Sequence, residues 1–321
     1  MREIPFLQAV YDAIREEMAR DDRVFVMGED IAWPRNKWRG LWEAFGGQRV
    51  LNTPISESAL VGAGVGAALN GLRPIVDIMF ADLLPLCHDH LSNDAAKICY
   101  QYGGVVSCPL VITASIGATG RGIGPHHSQS PEAYFLNVPG LKVVMPSTPH
   151  DAKGLMKSAI RDDNPVLFLE HKRLRDLKGP VPEDEYTVPL GTAEVKQEGE
   201  DVTIVAAAHM LHLSLDAGNR LREEGVSCEV VDLRTLLPLD EETILASVKK
   251  TSRLVVVQES PKAYGYGAEV AAVVAEQALE YLDAPIQRVA NPGTPVPATA
   301  ILERAVMPSV EAIIRSVKHT I

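Results

Sequence analysis

Hydrophobic spacing divides the chain into alternating helical and extended segments. Between residues 4 and 20, Phe6, Ala9, Val10, Ala13, Ile14 and Met18 recur at the interval of one helix face, and Pro5 suits the helix start. Residues 24–27 form a short apolar run, the pattern of a buried strand, which Gly28-Glu29-Asp30 leaves as a loop. In open α/β sheets that strand end is where ligand contacts gather. Ser56 predicts a helix cap, the glycine- and alanine-rich run 61–70 a closely packed helix, and Gly71 its end. Strands are predicted at 75–78, 110–114, 141–145 and 166–169, with helices over 85–102, near Pro131 and over 149–161. Between them, residues 117–124 form a flexible loop with four glycines. The alternation predicts an α/β fold with a mostly parallel sheet covered by helices.

The pattern then changes. Residues 178–200 mix charges, prolines and glycines without sustained periodicity, as a linker does. A second α/β unit follows, with strands at 202–207, 227–233, 254–258 and 286–289. Its helices fall over 211–224, 240–250, 266–282 and 310–317. The expected organisation is a larger domain over 1–180, a linker over 181–200 and a smaller α/β domain over 201–321. A chain of 321 residues, 46% hydrophobic, is long enough for two cores.

Charge and cysteine content narrow the function classes. A net charge of −11 argues against a general nucleic-acid binder, despite the mid-chain basic residues Arg161, Lys172, Arg173 and Arg175. No apolar run reaches the roughly 18–20 residues that span a bilayer, so no membrane role is expected and a cytoplasmic location is the default. Four cysteines are too few for a disulfide scaffold, and the spacing of Cys87, His88, His90 and Cys99 matches no closed zinc pattern.

Candidate chemistry starts from bland readings. Gly62-Ala63-Gly64-Val65-Gly66-Ala67 has the glycines of a dinucleotide fingerprint, but a capped helix start precedes it instead of a strand, which favours tight helix packing. Glu57 at a helix start is an ordinary dipole-compatible residue, or a carboxyl that holds a proton beside a neutral heterocycle. His127, next to His126 at the end of the glycine loop, is a solvent-exposed loop residue or an acid/base group on a loop that closes over a ligand. Ser128 lacks the Gly-x-Ser-x-Gly elbow of a hydrolase.

A set of ordered motifs changes these odds. They are Gly28-Glu29-Asp30, Thr53-Pro54-Ile55-Ser56-Glu57, Gly71-Leu72-Arg73-Pro74, His127-Ser128-Gln129-Ser130-Pro131-Glu132-Ala133 and Pro139-Gly140-Leu141-Lys142-Val143-Val144. Further on come Asp151-Ala152-Lys153-Gly154-Leu155, Arg161-Asp162-Asp163-Asn164-Pro165-Val166, Glu229-Val230-Val231-Asp232-Leu233-Arg234-Thr235-Leu236 and Gly265-Tyr266-Gly267-Ala268-Glu269. Together they cover nearly the whole chain, which resembles beta subunits of the pyruvate, branched-chain 2-oxo-acid and acetoin dehydrogenase family.

The resemblance implies a transketolase-like pyrimidine-binding domain followed by a transketolase C-terminal-like domain. It implies thiamine diphosphate as cofactor, with Glu57 contacting the aminopyrimidine ring and favouring the imino tautomer that deprotonates the thiazolium. The resulting carbanion attacks a 2-oxo acid and carbon dioxide leaves. His127 is the implied acid/base or substrate-orienting residue, near the substrate carbonyl and the transfer to a lipoyl group. Glu29, Phe80 and Leu83 are implied on the cofactor side, and a monovalent-cation site, potassium in type, near Arg161, Asp163 and Asn164. The chain lacks the Gly-Asp-Gly that opens the magnesium-diphosphate motif. Mg2+ is therefore expected to be held mainly by an alpha-type partner in an α2β2 heterotetramer serving a lipoyl acyltransferase.

Departures from the family pattern leave the donor open. Met79 stands where Gln is common, and Leu83 replaces an aromatic residue that packs on the pyrimidine. His90 replaces Gln, Cys99 and Tyr102 replace Arg and Ser, and Thr113 replaces Arg. The 30–40 stretch, with Trp33, Pro34 and Trp38, also differs from the usual glycine-rich form. A 2-oxo-acid dehydrogenase component is the first reading. Acetoin cleavage is the second, and a diverged noncatalytic assembly or regulatory subunit on the same scaffold is the alternative from another class.

Overall fold

A computed structural model describes residues 1–33 and 36–321; Pro34 of the unusual 30–40 stretch lies outside the described residues. The chain forms two compact units, Met1–Ile116 with Tyr134–Leu190, and Gly117–Ala133 with Gly191–Ile321. The glycine-rich loop thus belongs to the C-terminal unit, although it interrupts the sequence of the first.

The first unit contains β1 (Arg2–Pro5), α1 (Phe6–Arg20), β2 (Val24–Glu29), α2 (Arg39–Phe45), β3 (Val50–Thr53), α3 (Glu57–Leu69) and β4 (Arg73–Phe80). It continues with α4 (Ile98–Gln101), β5 (Val111–Ile116), the short α5 (Ala133–Leu136) at the unit boundary, β6 (Lys142–Val144), α6 (Pro149–Arg161), β7 (Val166–His171) and β8 (Lys178–Val181). Its main strands lie in the order β6-β7-β5-β4-β2-β3, every pair parallel. β2 and β7 are buried at every residue, as strands covered on both faces must be, which explains their continuous apolar runs. β1 pairs antiparallel with β8.

Helix–sheet packing follows from residue size. In α3, a Cβ on Gly64 would lie 2.8 Å from Val76 and 3.0 Å from Leu110. Gly64 is therefore a close contact against the sheet and Gly62 one against the His90 ring, while a Cβ on Gly66 would meet nothing within 4 Å, so tight packing holds for two of the three glycines. α1 packs on α6, where Lys157 of α6 pairs with Glu16 of α1 and with Glu185, which follows β8, both at 2.6 Å. The predicted continuous helix over 85–102 is instead a 3-10 turn (Ala81–Cys87), a π-helical turn (His90–Ala95) and α4. Pro85 inside the first turn has no N–H to donate to a helical ladder, so the backbone changes its hydrogen-bond spacing there.

The second unit adds β9 (Glu194–Gln197), β10 (Val202–Ala206), α7 (His209–Glu223), β11 (Cys228–Asp232), β12 (Thr235–Leu237), α8 (Glu241–Thr251) and β13 (Leu254–Pro261). It ends with α9 (Tyr266–Gln277), β14 (Gln287–Asn291), α10 (Ala300–Val306) and α11 (Val310–Lys318). The sheet order is β14-β13-β10-β11-β9, parallel except for β9 against β11. Strand alternation assigns the faces. Val202, Ile204 and Ala206 pack with α7 and α11, while Thr203 turns the other way and bonds Thr251 of α8 at 2.7 Å. β9 falls inside the 181–200 segment read as a linker, and the units part at Leu190–Gly191. β9 has four half-buried residues of which only Val195 is apolar, so it offered no strand-like apolar alternation to read.

Gly28 is fixed by close approach of β4. A Cβ there would stand 2.7 Å from the Asp77 carbonyl oxygen and 3.1 Å from Ile31. Gly28→Ala is expected to force β2 from β4 and lower stability by about 1–3 kcal/mol. A urea midpoint equal to wild type would show that the strands are not in that contact.

Candidate functional site

The first unit gathers acidic side chains at the carboxyl ends of β2, β3 and β4. Parallel register sets Glu29 opposite Thr53 and Gly28 opposite Asp77. The chain leaves β2 at Asp30, with a left-handed φ of 55° that aspartate tolerates better than most residues. After β3, Pro54 to Ser56 lead into α3, whose first residue is Glu57. Ser56 takes the cap position, but its exposed side chain makes no capping hydrogen bond. Glu29 and Glu57 are both buried, at 6% and 8% exposure. Burial holds Glu29 above the usual carboxylate range, and the charges of Glu57, Asp30 and Asp77 push the same way. The Thr53 hydroxyl is buried without a hydrogen-bond partner beside this group. Cys87 is also within reach of the Glu57 charge, and burial pushes its thiol up to about 12.

Phe80 ends β4, and Leu83 lies half-buried in the following 3-10 turn. The β4–β5 register shifts between Asp77 and Phe80, where Met79 has φ 61°. Such an irregularity re-aims side chains at a strand end. Lys172 stands 5.6 Å from the centre of the Phe80 ring.

Sequence reasoning missed Lys37. Its ammonium lies 2.9 Å from Glu170 and 3.3 Å from Asp77, and Thr113 donates to Asp77 at 2.8 Å. Asp77, Glu170 and Thr113 are all buried, so this ion-pair network is deeply desolvated. Its signal was present as two departures, an altered 30–40 stretch and Thr113 in place of Arg. The structure joins them: Lys37 and Thr113 both contact the Asp77 carboxylate.

The second unit carries His127. Gly117 N–H donates to the Gln129 carbonyl at 2.8 Å, and His127 N–H to that of Gly124 at 3.4 Å. His126 and His127 are exposed, while Ser128, Ser130 and Glu132 after them are buried. Glu259 accepts from Ala118 N–H at 2.6 Å and from the Ser130 hydroxyl at 3.4 Å. Glu132 is pushed up to about 7 by burial, with a small further push from Glu259 and an opposing hydrogen bond from Ser260.

Two family descriptions match the chain, "Transketolase, pyrimidine binding domain" over residues 2–176 and "Transketolase, C-terminal domain" over 191–313. "2-oxoisovalerate dehydrogenase subunit beta" of Bacillus subtilis is 46% identical, over 96% of this chain and 95% of its own. "Pyruvate dehydrogenase E1 component subunit beta" of Rickettsia felis is 46% identical over 98% of both. The chain belongs to the transketolase-like 2-oxo-acid dehydrogenase beta-subunit family. "Acetoin:2,6-dichlorophenolindophenol oxidoreductase subunit beta" of Cupriavidus necator, at 44% identity over 99% of this chain and 98% of its own, falls in the same group. Among solved structures, "Split gene transketolase, inactive beta4 tetramer" superposes with a TM-score of 0.80 at 23% identity, covering 99% of this chain and 98% of that one, which speaks for the fold.

The residues expected near a cation, and three of the departures from the family pattern, lie elsewhere in the first unit. The Arg161 guanidinium pairs with Glu17 and Glu185, and Asp163 pairs with Arg73 at 2.5 Å. Asn164 donates from its backbone and side chain to Asp162. His90 bonds Asp94 at 2.7 Å across the π-helical turn, and its ring packs against Gly62 of α3. Cys99 is half-buried and Tyr102 exposed. Among the described residues, no helix is long and apolar enough to cross a membrane.

Two predictions follow from these ion and proton sites. Lys37→Met leaves Asp77 and Glu170 buried without their cation, and a loss of about 3 kcal/mol or more is expected. Adding Asp77→Asn should restore part of it; a Lys37→Met chain as stable as wild type in urea would remove the network from the account. Glu132 has a folded pKa above its unfolded value, so its contribution is complete below about 4.5 and is lost as pH rises through about 7. Stability measured from pH 4.5 to 7.5 should fall less steeply in Glu132→Gln, and an identical slope would refute the assignment.

Proposed function

We propose that this chain is the beta subunit of a heteromeric, thiamine-diphosphate-dependent 2-oxo-acid dehydrogenase component. It decarboxylates a 2-oxo acid together with an alpha-type subunit and passes the acyl group to a lipoyl carrier. The observation that carries the reading is the buried Glu57 at the start of α3, beside Glu29 and the unpartnered Thr53 hydroxyl. The chain bearing it is related to named dehydrogenase beta subunits along nearly its whole length.

These residues fit a polar heteroaromatic ring. Two buried carboxyls and an orphaned hydroxyl offer hydrogen bonds along one edge, and Phe80 and Leu83 are partly exposed apolar groups able to cover a flat face. Thiamine diphosphate, when bound, supplies the nucleophile that adds to the 2-oxo group and the electron sink for the pair released with carbon dioxide. Glu57 holds or donates a proton at a ring nitrogen through its carboxyl oxygen. Glu29 supports it, its raised proton affinity limiting the charge that two adjacent carboxylates would accumulate. His127, exposed on its loop, orients the substrate carbonyl or moves a proton there.

The remainder of the proposal rests on the family. The alpha subunit holds the diphosphate and Mg2+ in an α2β2 assembly, and a lipoyl acyltransferase takes the product. A potassium-type ion near Arg161, Asp163 and Asn164 would rest on backbone carbonyls and the Asn164 amide oxygen, because the Arg161 guanidinium is itself a cation and Asp163 pairs with Arg73. A cytoplasmic location suits the four free thiols. Acetoin cleavage is the second reading, favoured by the acetoin-oxidoreductase relative at nearly the same identity.

The deciding measurement is carbon-dioxide release from a panel of 2-oxo acids, with both subunits, thiamine diphosphate, Mg2+ and an artificial electron acceptor. Release that requires both chains and the cofactor supports the first reading. Acceptor reduction by acetoin without carbon dioxide selects the second, and inactivity of a folded, cofactor-bound complex towards both leaves an assembly role. Glu57→Gln should fold normally and lose roughly 10²–10⁴ in turnover. His127→Ala should lower substrate conversion or acyl transfer more than cofactor binding, and wild-type rates in either variant would remove that residue from the mechanism.

A further inference from the structure

The Gly117–Ala133 segment is fastened to the second unit at two levels. At its base, Gly117 bonds Gln129, while Glu259 bridges Ala118 and Ser130. Farther out, Glu303 of α10 accepts from Gly120 N–H with one carboxylate oxygen and from Gly122 N–H, at 2.9 Å, with the other. Glu303 is 1% exposed. Shape reinforces the second attachment. Gly122 has φ +73°, and a Cβ there would stand 2.6 Å from Ala300 N and 2.7 Å from Ala298 O, so the loop backbone lies directly against the start of α10. His127 follows within five residues of Gly122, on a turn closed by its own N–H to Gly124.

We propose that Glu303 is a positioning residue, holding the glycine loop so that the His127 imidazole is presented in one arrangement. This rests on the His127 role proposed above. The loop has no side chains at four positions and therefore many accessible backbone states, so something outside it must select one. One carboxylate that satisfies two N–H groups spaced two residues apart does this with charge-assisted bonds, which are stronger than neutral ones. The Gln129 and Glu259 contacts close the base of the loop, and the Glu303 bonds hold its backbone farther out, at Gly120 and Gly122. Loss of Glu303 should therefore loosen the tip while the base and the sheet remain formed.

The test uses the full chain assembled with its alpha-type partner, in Glu303→Ala, Glu303→Gln and Glu303→Asp. Amide exchange at Gly120 and Gly122 and tryptic cleavage after the exposed Arg121 report the loop without reference to activity. Both should accelerate in the Ala and Gln variants, with exchange in β10 and β13 unchanged. Turnover should fall roughly 10–100-fold, the scale of a small misplacement, with a much smaller change in KM. Glu303→Asp should recover part of both effects. In a His127→Ala background, Glu303→Ala should cost no further turnover.

Unchanged exchange and cleavage would overturn the grip. A loosened loop with normal turnover, or additive losses in the double variant, would overturn the positioning role. If Glu303→Ala unfolds the unit, faster exchange in β10 and β13 reveals it, and the Gln and Asp variants carry the comparison. Wild-type rates in His127→Ala alone would sink the His127 reading instead, with the loop measurements still deciding whether Glu303 holds the tip.

Discussion

Asp77 is a carboxylate buried inside a parallel sheet, and the architecture around the candidate site depends on neutralising it. A charge at 1% exposure persists only with a counter-ion and hydrogen bonds. Lys37 supplies the first and Thr113 one of the second, which ties Lys37 to β4 and β7. The ion pair thus holds a residue that follows Glu29 in sequence to β4, the strand paired with β2. Gly28, with no room for a Cβ against the Asp77 carbonyl, belongs to the same constraint.

The fold was legible wherever burial imposed a simple period. β2, β7, β10 and β11 are buried at every residue and each carries apolar residues that mark it, and α6 was placed at its observed bounds, with Thr148 capping it through the Asp151 N–H. Reading failed where burial was partial. α10 exposes Ile301 and Leu302 and turns Glu303 inward, the reverse of the pattern that marks a surface helix, so no element was read there. The 85–102 region has helical composition, but Pro85 and a π-helical turn break its ladder, which hydrophobic spacing does not report.

The site divided along a different line. Glu57 and His127 could be singled out from ordered motifs, since a motif records which residue stands where. Lys37 and Glu303 could not, because their partners lie 40 or more residues away at Asp77 and 181 residues away at Gly122. Such pairings depend on sheet order and on the glycine loop belonging to the second unit. Even so, substitutions at separate places carried partial information. Lys37, from the altered 30–40 stretch, and Thr113 meet at one carboxylate, so two departures far apart in sequence share one contact.

The Asp77 network bears on whether the chain retains chemistry. Neutralising Asp77 serves folding, and a noncatalytic descendant would need it too. Glu29 and Glu57 are different. Burial and mutual repulsion hold Glu29 above the usual carboxylate range, a cost that Lys37, engaged with Asp77 and Glu170, does not remove. Glutamine at either position would keep the shape and much of the hydrogen bonding without the repulsion. Residues that oppose stability in this way persist most readily where function needs them.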